Sequence, residues 1–123
     1  MKTLQNKGAY LIKIELKKDS KIKIGKLGII FFKKGFYYYA GSAQNNLDKR
    51  IKRHYLKTKK MHWHIDFLTA HPNSQAISAK KYYSSKKEKE CEIAKKFSKK
   101  HEKIKGFGCS DCKCETHLFY EKE

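Results

Sequence analysis

In residues 9–16 (AYLIKIEL), Tyr10, Ile12, Ile14 and Leu16 recur at every second position, with mostly small or polar residues between them. That period belongs to a strand buried on one face. Such a strand needs a sheet to join, and the residues that follow supply one. Residues 17–21 (KKDSK) predict a turn, and residues 22–28 (IKIGKLG) predict a short returning strand in which Gly25 and Gly28 allow a bend. Residues 29–32 and 36–40 predict further strands on either side of Lys33-Lys34-Gly35. The first third of the chain therefore reads as an antiparallel meander.

The period then changes. Residues 41–46 (GSAQNN) break the strand pattern, after which Leu47, Ile51, His54 and Tyr55 recur at helical spacing through about Lys57. Residues 61–70 (MHWHIDFLTA) fit a strand or a helix start, and the His-x-His-x-Asp alternation favours extended structure at first. Residues 76–84 (AISAKKYYS) predict a short strand. From Ser84 or Ser85 helix formers run on to Ile104, with Ile93, Ala94, Phe97 and Ile104 on one face and Gly106 and Gly108 as the stop. A final strand is expected at residues 116–120 (THLFY). The expected fold is α+β, a central antiparallel sheet flanked by helices. A chain of 123 residues has room for one such domain, covering residues 1–123.

No apolar run approaches the length of a membrane span, and no export signal follows the N-terminus, which points to a soluble protein of the reducing cytoplasm. The formal net charge is +18, from 30 basic and 12 acidic residues. An excess of this size calls for an anionic partner. Nucleic acid suits it best, because the basic residues are interleaved with Tyr, Phe, Trp and His that can stack on bases. Adaptation to heat, or a lysine-rich proteome, accounts for the same excess, since Lys outnumbers Arg by 28 to 2. Both arginines, Arg50 and Arg53, fall in one short segment.

Helical phase selects candidates for chemistry. Successive residues turn by about 100°, so Arg50 and His54 lie beside the apolar stripe of Leu47, Ile51 and Tyr55. On the later helix the same geometry puts Glu90 within the stripe of Ile93, Ala94 and Phe97, and turns Glu92 to water. An acid on a buried face needs a metal, an arginine or strong donors beside it. Without them it is a glutamate near a helix N-terminus that reaches out to solvent and favours the helix dipole.

Gly8-Ala9-Tyr10 at the head of the first strand, Tyr39-Ala40-Gly41-Ser42 at the end of a later one, Arg50 on the next helix and Glu90 on a downstream helix resemble the ordered motifs of the GIY-YIG nucleases. GAYLI, GFYYYAGSA, RIKRH, HWHID, ECEIA and GFGCSDCKC together resemble the small Uri-type endonuclease branch, over nearly the whole chain. The resemblance implies a metal-dependent endonuclease, structure-selective and repair-related, that hydrolyses phosphodiester bonds in DNA. It implies that Tyr10 and Tyr39 flank the scissile phosphate, that Arg50 binds it and that Glu90 holds one Mg²⁺ or Mn²⁺. Tyr10 would also orient or activate water, a role that asks for a phenol made more acidic by a nearby cation or metal. Ser42, Arg53, His54, His62 and His64 would line the nucleic acid. The rival reading keeps the phosphate groove without cutting.

The chain departs from the family pattern twice. The stretch between the two tyrosine motifs is long enough to hold an extra hairpin. The asparagine that usually follows the glutamate helix is replaced by residues 106–112, with Ser110 and Asp111 as its polar candidates. Alternation sends Tyr37 and Tyr39 to one sheet face and Tyr38 to the other, and Gly41 selects Tyr39 by analogy.

His62, His64 and Asp66 would share a strand face and could chelate a transition metal, but contact with phosphate or water is the simpler reading. Cys109, Cys112, Cys114 and His117 form a C-x2-C-x-C-x2-H cluster whose first pair has zinc-knuckle spacing. Its tight later spacing favours reduced thiols over a structural zinc. A zinc-dependent interaction module is a third reading.

Overall fold

The alternation of residues 9–16 appears as β1 (Gly8–Leu16). Tyr10, Ile12, Ile14 and Leu16 are at most 2% exposed, and burying each contributes about 1.5–3 kcal/mol. The structure is a computed structural model that describes residues 8–43, 46–61, 63–83, 89–99, 101–104 and 116–121.

The remaining strands are β2 (Ser20–Lys23), β3 (Ile29–Phe32), β4 (Gly35–Ala43), β5 (Ser74–Tyr83), β6 (Glu102–Lys103) and β7 (Leu118–Glu121). Five of them form one sheet in the order β5-β1-β4-β7-β6, antiparallel at every pairing. β1 and β4 pair along their whole length, from Gly8 opposite Ala43 to Leu16 opposite Gly35.

The expected meander is corrected here. β2 and β3 are joined through a 3-10 turn at Gly25–Leu27 and pair only with each other, as a separate two-stranded sheet. Both long edges of β1 are taken by β4 and β5, so the hairpin has no edge of β1 to extend. It folds instead over one face, where Ile22, Ile24 and Phe32 are buried in the main core. This is the extra hairpin between the two motif strands.

Three helices lie among the described residues: α1 (Leu47–Tyr55), α2 (His64–Thr69) and α3 (Lys89–Ser98). α1 stops two residues before the expected Lys57, and its buried stripe is Leu47, Ile51 and His54, while Tyr55 is 45% exposed. Helical phase explains the exchange, because residue 54 lies about 20° from residue 47 around the axis and residue 55 about 80°.

The extended reading of residues 62–66 is also corrected. His64 opens α2, because the Asp66 carboxylate accepts the Trp63 backbone N–H at 3.0 Å, as the acidic member of a capping box does. Ile104 likewise leaves the stripe assigned to it. α3 ends at Ser98, β6 intervenes, and Ile104 packs against the main core.

The sheet is covered on both faces. Tyr10, Ile12, Tyr37, Tyr39, Leu118 and Tyr120 share a core with Leu47 and Ile51 of α1, Ile65 and Leu68 of α2, and the hairpin. On the opposite face Ala9 and Ala40 pack with Ile93 of α3, flanked by Leu11, Tyr82 and Phe97. The tyrosine alternation holds, since Tyr38 faces α3 with its ring 5.1 Å from that of Phe97.

Candidate active site

The pairing of β1 with β4 sets Tyr10 opposite Gly41. A Cβ at Gly41 would stand 2.4 Å from both Cζ and Oη of Tyr10, so the phenol occupies the space a side chain would need. Gly41 is required by this ring. β4 continues past it to Ala43, so residues 41–43 do not break the strand as expected.

Across from Gly41, the Tyr10 hydroxyl is hydrogen-bonded to His54 Nε2 at 2.8 Å. The His54 ring lies 5.4 Å from that of Tyr10 and 5.9 Å from that of Tyr39, so it sits against both motif tyrosines. His54 is 1% exposed, Tyr10 2% and Tyr39 8%.

Burial, reinforced by the Lys59 ammonium and by Arg50 and Arg53, pushes the His54 pKa down to about 3, with Asp66 opposing. The imidazole is therefore neutral. A phenol can donate or accept, so Tyr10 suits either tautomer, while Nδ1 meets no hydrogen-bond partner among the described residues. His54, expected as a contact for nucleic acid, thus has almost no surface to offer one. Its polar contact is with Tyr10.

Arg50 Nη1 donates to the Ser42 carbonyl at 3.0 Å, next to Gly41. Its guanidinium carbon lies 4.5 Å from the centre of the Trp63 ring, and that of Arg53 lies 5.1 Å from it. Stacking on indole is worth about 0.5–1 kcal/mol at an exposed site. Arg53 Nη2 also pairs with Asp66 Oδ2 at 2.7 Å, a carboxylate with no solvent exposure, and donates to the Lys60 carbonyl.

Lys59 donates to Thr69 Oγ1 at 2.7 Å and to the Arg53 carbonyl at 2.9 Å. Burial lowers its pKa to about 8, with Asp66 opposing and Arg53 and Lys57 adding to the effect. One buried carboxylate thereby anchors Arg53 and caps the helix next to Trp63. Trp63 and Lys59 escaped the sequence reading as site-forming residues, and Asp66 entered it only as a companion of His62 and His64, because the partners that define their roles lie on another element.

Tyr10, Tyr39, Ser42 and Arg50 thus share one region of the sheet. His64 does not join a strand face with Asp66. Two residues apart on a helix, they point about 200° apart, and His64 turns to the hairpin, where its Cδ2 lies 3.9 Å from a Cβ built on Gly25. His62 lies outside the described residues, so the proposed pair of histidines has one member placed.

Glu90 falls in the first turn of α3, and its side chain lies outside the described residues. Ile93 packs on Ala9 and Ala40, and Phe97 meets Tyr38 and Phe119. The start of α3 is therefore nearest the sheet end formed by Gly8, Ala43 and Tyr83, the end that holds Tyr10 and Arg50. It approaches from the opposite face. Glu92 is exposed, as expected.

Among the described residues no three His, Cys, Asp or Glu side chains converge on one point. A hard divalent cation does not demand such a trio, since Mg²⁺ commonly takes one or two carboxylates and fills its shell with water and substrate phosphate. Ser110, Asp111 and the cysteines at 109, 112 and 114 lie outside the described residues. His117 is buried, and its carbonyl accepts the Ala40 N–H at 2.9 Å.

The fold and this region define an α+β domain whose five-stranded antiparallel sheet carries a buried Tyr–His pair beside a stacked arginine. The chain belongs to the family described as domain of unknown function DUF123, which matches residues 9–123. No curated protein and no solved structure matches it. No helix among the described residues is long and apolar enough to cross a membrane.

Proposed function

We propose that this domain is a metal-dependent endonuclease of the GIY-YIG type, Uri-like, acting on DNA and selecting it by structure, as repair nucleases do. The observation that carries the reading is the alignment of Tyr10, Gly41, Ser42 and Arg50 at one end of the sheet, with Tyr10 bonded to His54. Arg50, stacked on Trp63, binds the scissile phosphate and offsets the charge that develops on it. His54 holds the Tyr10 hydroxyl and Tyr39 packs against the same imidazole; in the cutting reading the Tyr10 phenol orients the attacking water. Water oxygen bonds to phosphorus, the bond to the leaving sugar oxygen breaks, one water proton passes to solvent and the leaving oxygen takes a proton from solvent to become a hydroxyl.

Glu90 would hold a single Mg²⁺ or Mn²⁺, which when bound polarises the phosphate. The lysine excess adds salt-sensitive affinity independent of sequence.

One observation favours the rival module that binds without cutting, namely the burial of Tyr10 to 2% exposure. Labelled single-stranded, duplex, flapped and branched DNAs, with RNA counterparts, incubated with Mg²⁺ or Mn²⁺ separate the two. Cutting that needs metal and disappears in Glu90→Ala and Arg50→Ala, while Glu90→Ala still binds DNA, is the expected result. Salt-dependent binding by all three proteins with no cutting of any substrate would leave the non-catalytic module.

A further inference from the structure

The hairpin presents an outer face that the candidate site does not use. Ile22 and Phe32 are buried beneath it, whereas Ile29 is 70% exposed and Phe31 55%. The hairpin register sets Phe31 opposite Lys21 and Ile29 opposite Lys23, and both lysines are exposed. Leu27, 39% exposed, and Lys26 extend the pattern into the 3-10 turn. Folding gains nothing from large apolar side chains held in water, and clusters of them mark contact surfaces.

The charge around them selects the partner. Residues 20–36 contain Lys21, Lys23, Lys26, Lys33 and Lys34 and no acid; Lys33 pairs with Glu102 and Asp19 accepts the Lys34 backbone N–H, which leaves Phe31 and Ile29 each faced by a lysine on a strongly basic domain. A partner that alternates anionic groups with apolar surfaces is nucleic acid. In a continuous duplex the apolar base faces are stacked away, whereas a flap, junction or unpaired segment exposes them to wedging side chains.

We propose that this hairpin is a wedge that inserts Ile29 and Phe31 against an unstacked base step while Lys21 and Lys23 hold the flanking phosphates. The inference rests on the nucleic-acid part of the proposed function and supplies the source of its structure selectivity. Its position suits the role. Gly25 in the hairpin turn lies against His64 and Phe67 of α2, and Trp63, the residue before His64, stacks on Arg50. The turn end of the wedge thus borders the helix next to which the arginine is stacked, and on this reading wedge and arginine engage one DNA molecule.

The test is binding without divalent metal, which separates it from cutting. Wild type, Ile29→Ser/Phe31→Ser and Lys21→Ala/Lys23→Ala are titrated with a flapped DNA carrying 2-aminopurine at the junction and with a continuous duplex of equal length. Wild type should prefer the flap by about tenfold and brighten the probe, on the scale of one base–aromatic contact. The Ile29→Ser/Phe31→Ser protein should keep its thermal stability and duplex affinity but lose both the preference and the brightening. The double lysine variant should weaken on both DNAs and flatten the salt dependence by about two units of log–log slope.

An intact preference and probe response in Ile29→Ser/Phe31→Ser would overturn the wedge and leave the nuclease reading standing. Unchanged DNA binding in that variant, with loss of self-association or of adhesion to phosphatidylserine vesicles, would reassign the face to a protein or membrane contact. Failure of the wild type to bind any DNA would overturn both readings.

Discussion

The same strands build two unlike faces. Under α1, α2 and the hairpin, aromatic and aliphatic side chains surround polar groups with buried partners, among them Tyr10 with His54 and Asp66 with Arg53. Under α3 the sheet offers the small residues Ala9 and Ala40 near the end that holds Gly8 and an aromatic group of Tyr38, Phe97, His101 and Phe119 farther along. Tyr38 shows the contrast. It differs from Tyr39 by one position, yet its hydroxyl donates to the exposed Glu121 at 2.8 Å, whereas Tyr39 is buried against His54. A tyrosine thus takes its chemistry from the layer that covers it.

The sharpest break of this contrast is Gly41→Ala. The new Cβ would fall on Tyr10 and force it from His54, with an expected loss of about 3 kcal/mol in urea unfolding, at the upper end for overpacking. On the proposed reading DNA cutting falls about a hundredfold or more, because Tyr10 no longer orients water.

A smaller effect sharpens the comparison across the two faces. Tyr10→Phe leaves His54 Nε2 buried without its hydroxyl partner and should cost about 2 kcal/mol. Tyr38→Phe removes a bond that water replaces and should cost less than about 0.5 kcal/mol. Equal losses in paired denaturation curves would remove the distinction.

Acid should weaken the first face through His54. Its folded pKa of about 3 lies below the ordinary 6.5, so as pH falls between those values the unfolded chain takes up a proton that the folded one refuses. The His54 contribution to stability is full above about pH 6.5 and declines towards pH 3, by at most about 1.4 kcal/mol per pH unit. Melts of wild type and His54→Gln over that range should show the steeper decline only in the wild type.

Among changes within the first face, the smallest expected is that of Trp63→Ala, which frees Arg50 from its stacked position. Stability should fall by about 0.5–1 kcal/mol. Cutting should fall by roughly tenfold with little change in DNA affinity, read as a loss in kcat against an almost constant KM.

Much of this was legible in the residues themselves. Period-2 alternation marks β1 and the sides taken by Tyr37, Tyr38 and Tyr39, and helical spacing marks α1 and the run of Ile93, Ala94 and Phe97. These properties follow from local backbone geometry, which repeats identically whatever lies across from it. What covers each face is a matter of long-range contact and was decided only in the tertiary structure. His-x-His-x-Asp fits a strand equally well until Arg53 pairs with Asp66 and the carboxylate caps α2. Gly41 reads as a turn until the pairing of β1 and β4 brings the Tyr10 ring across it. His54 reads as a contact for nucleic acid at the edge of the apolar stripe until Tyr10 meets it beneath α1, because spacing along one element carries no record of the atoms that another element brings to it.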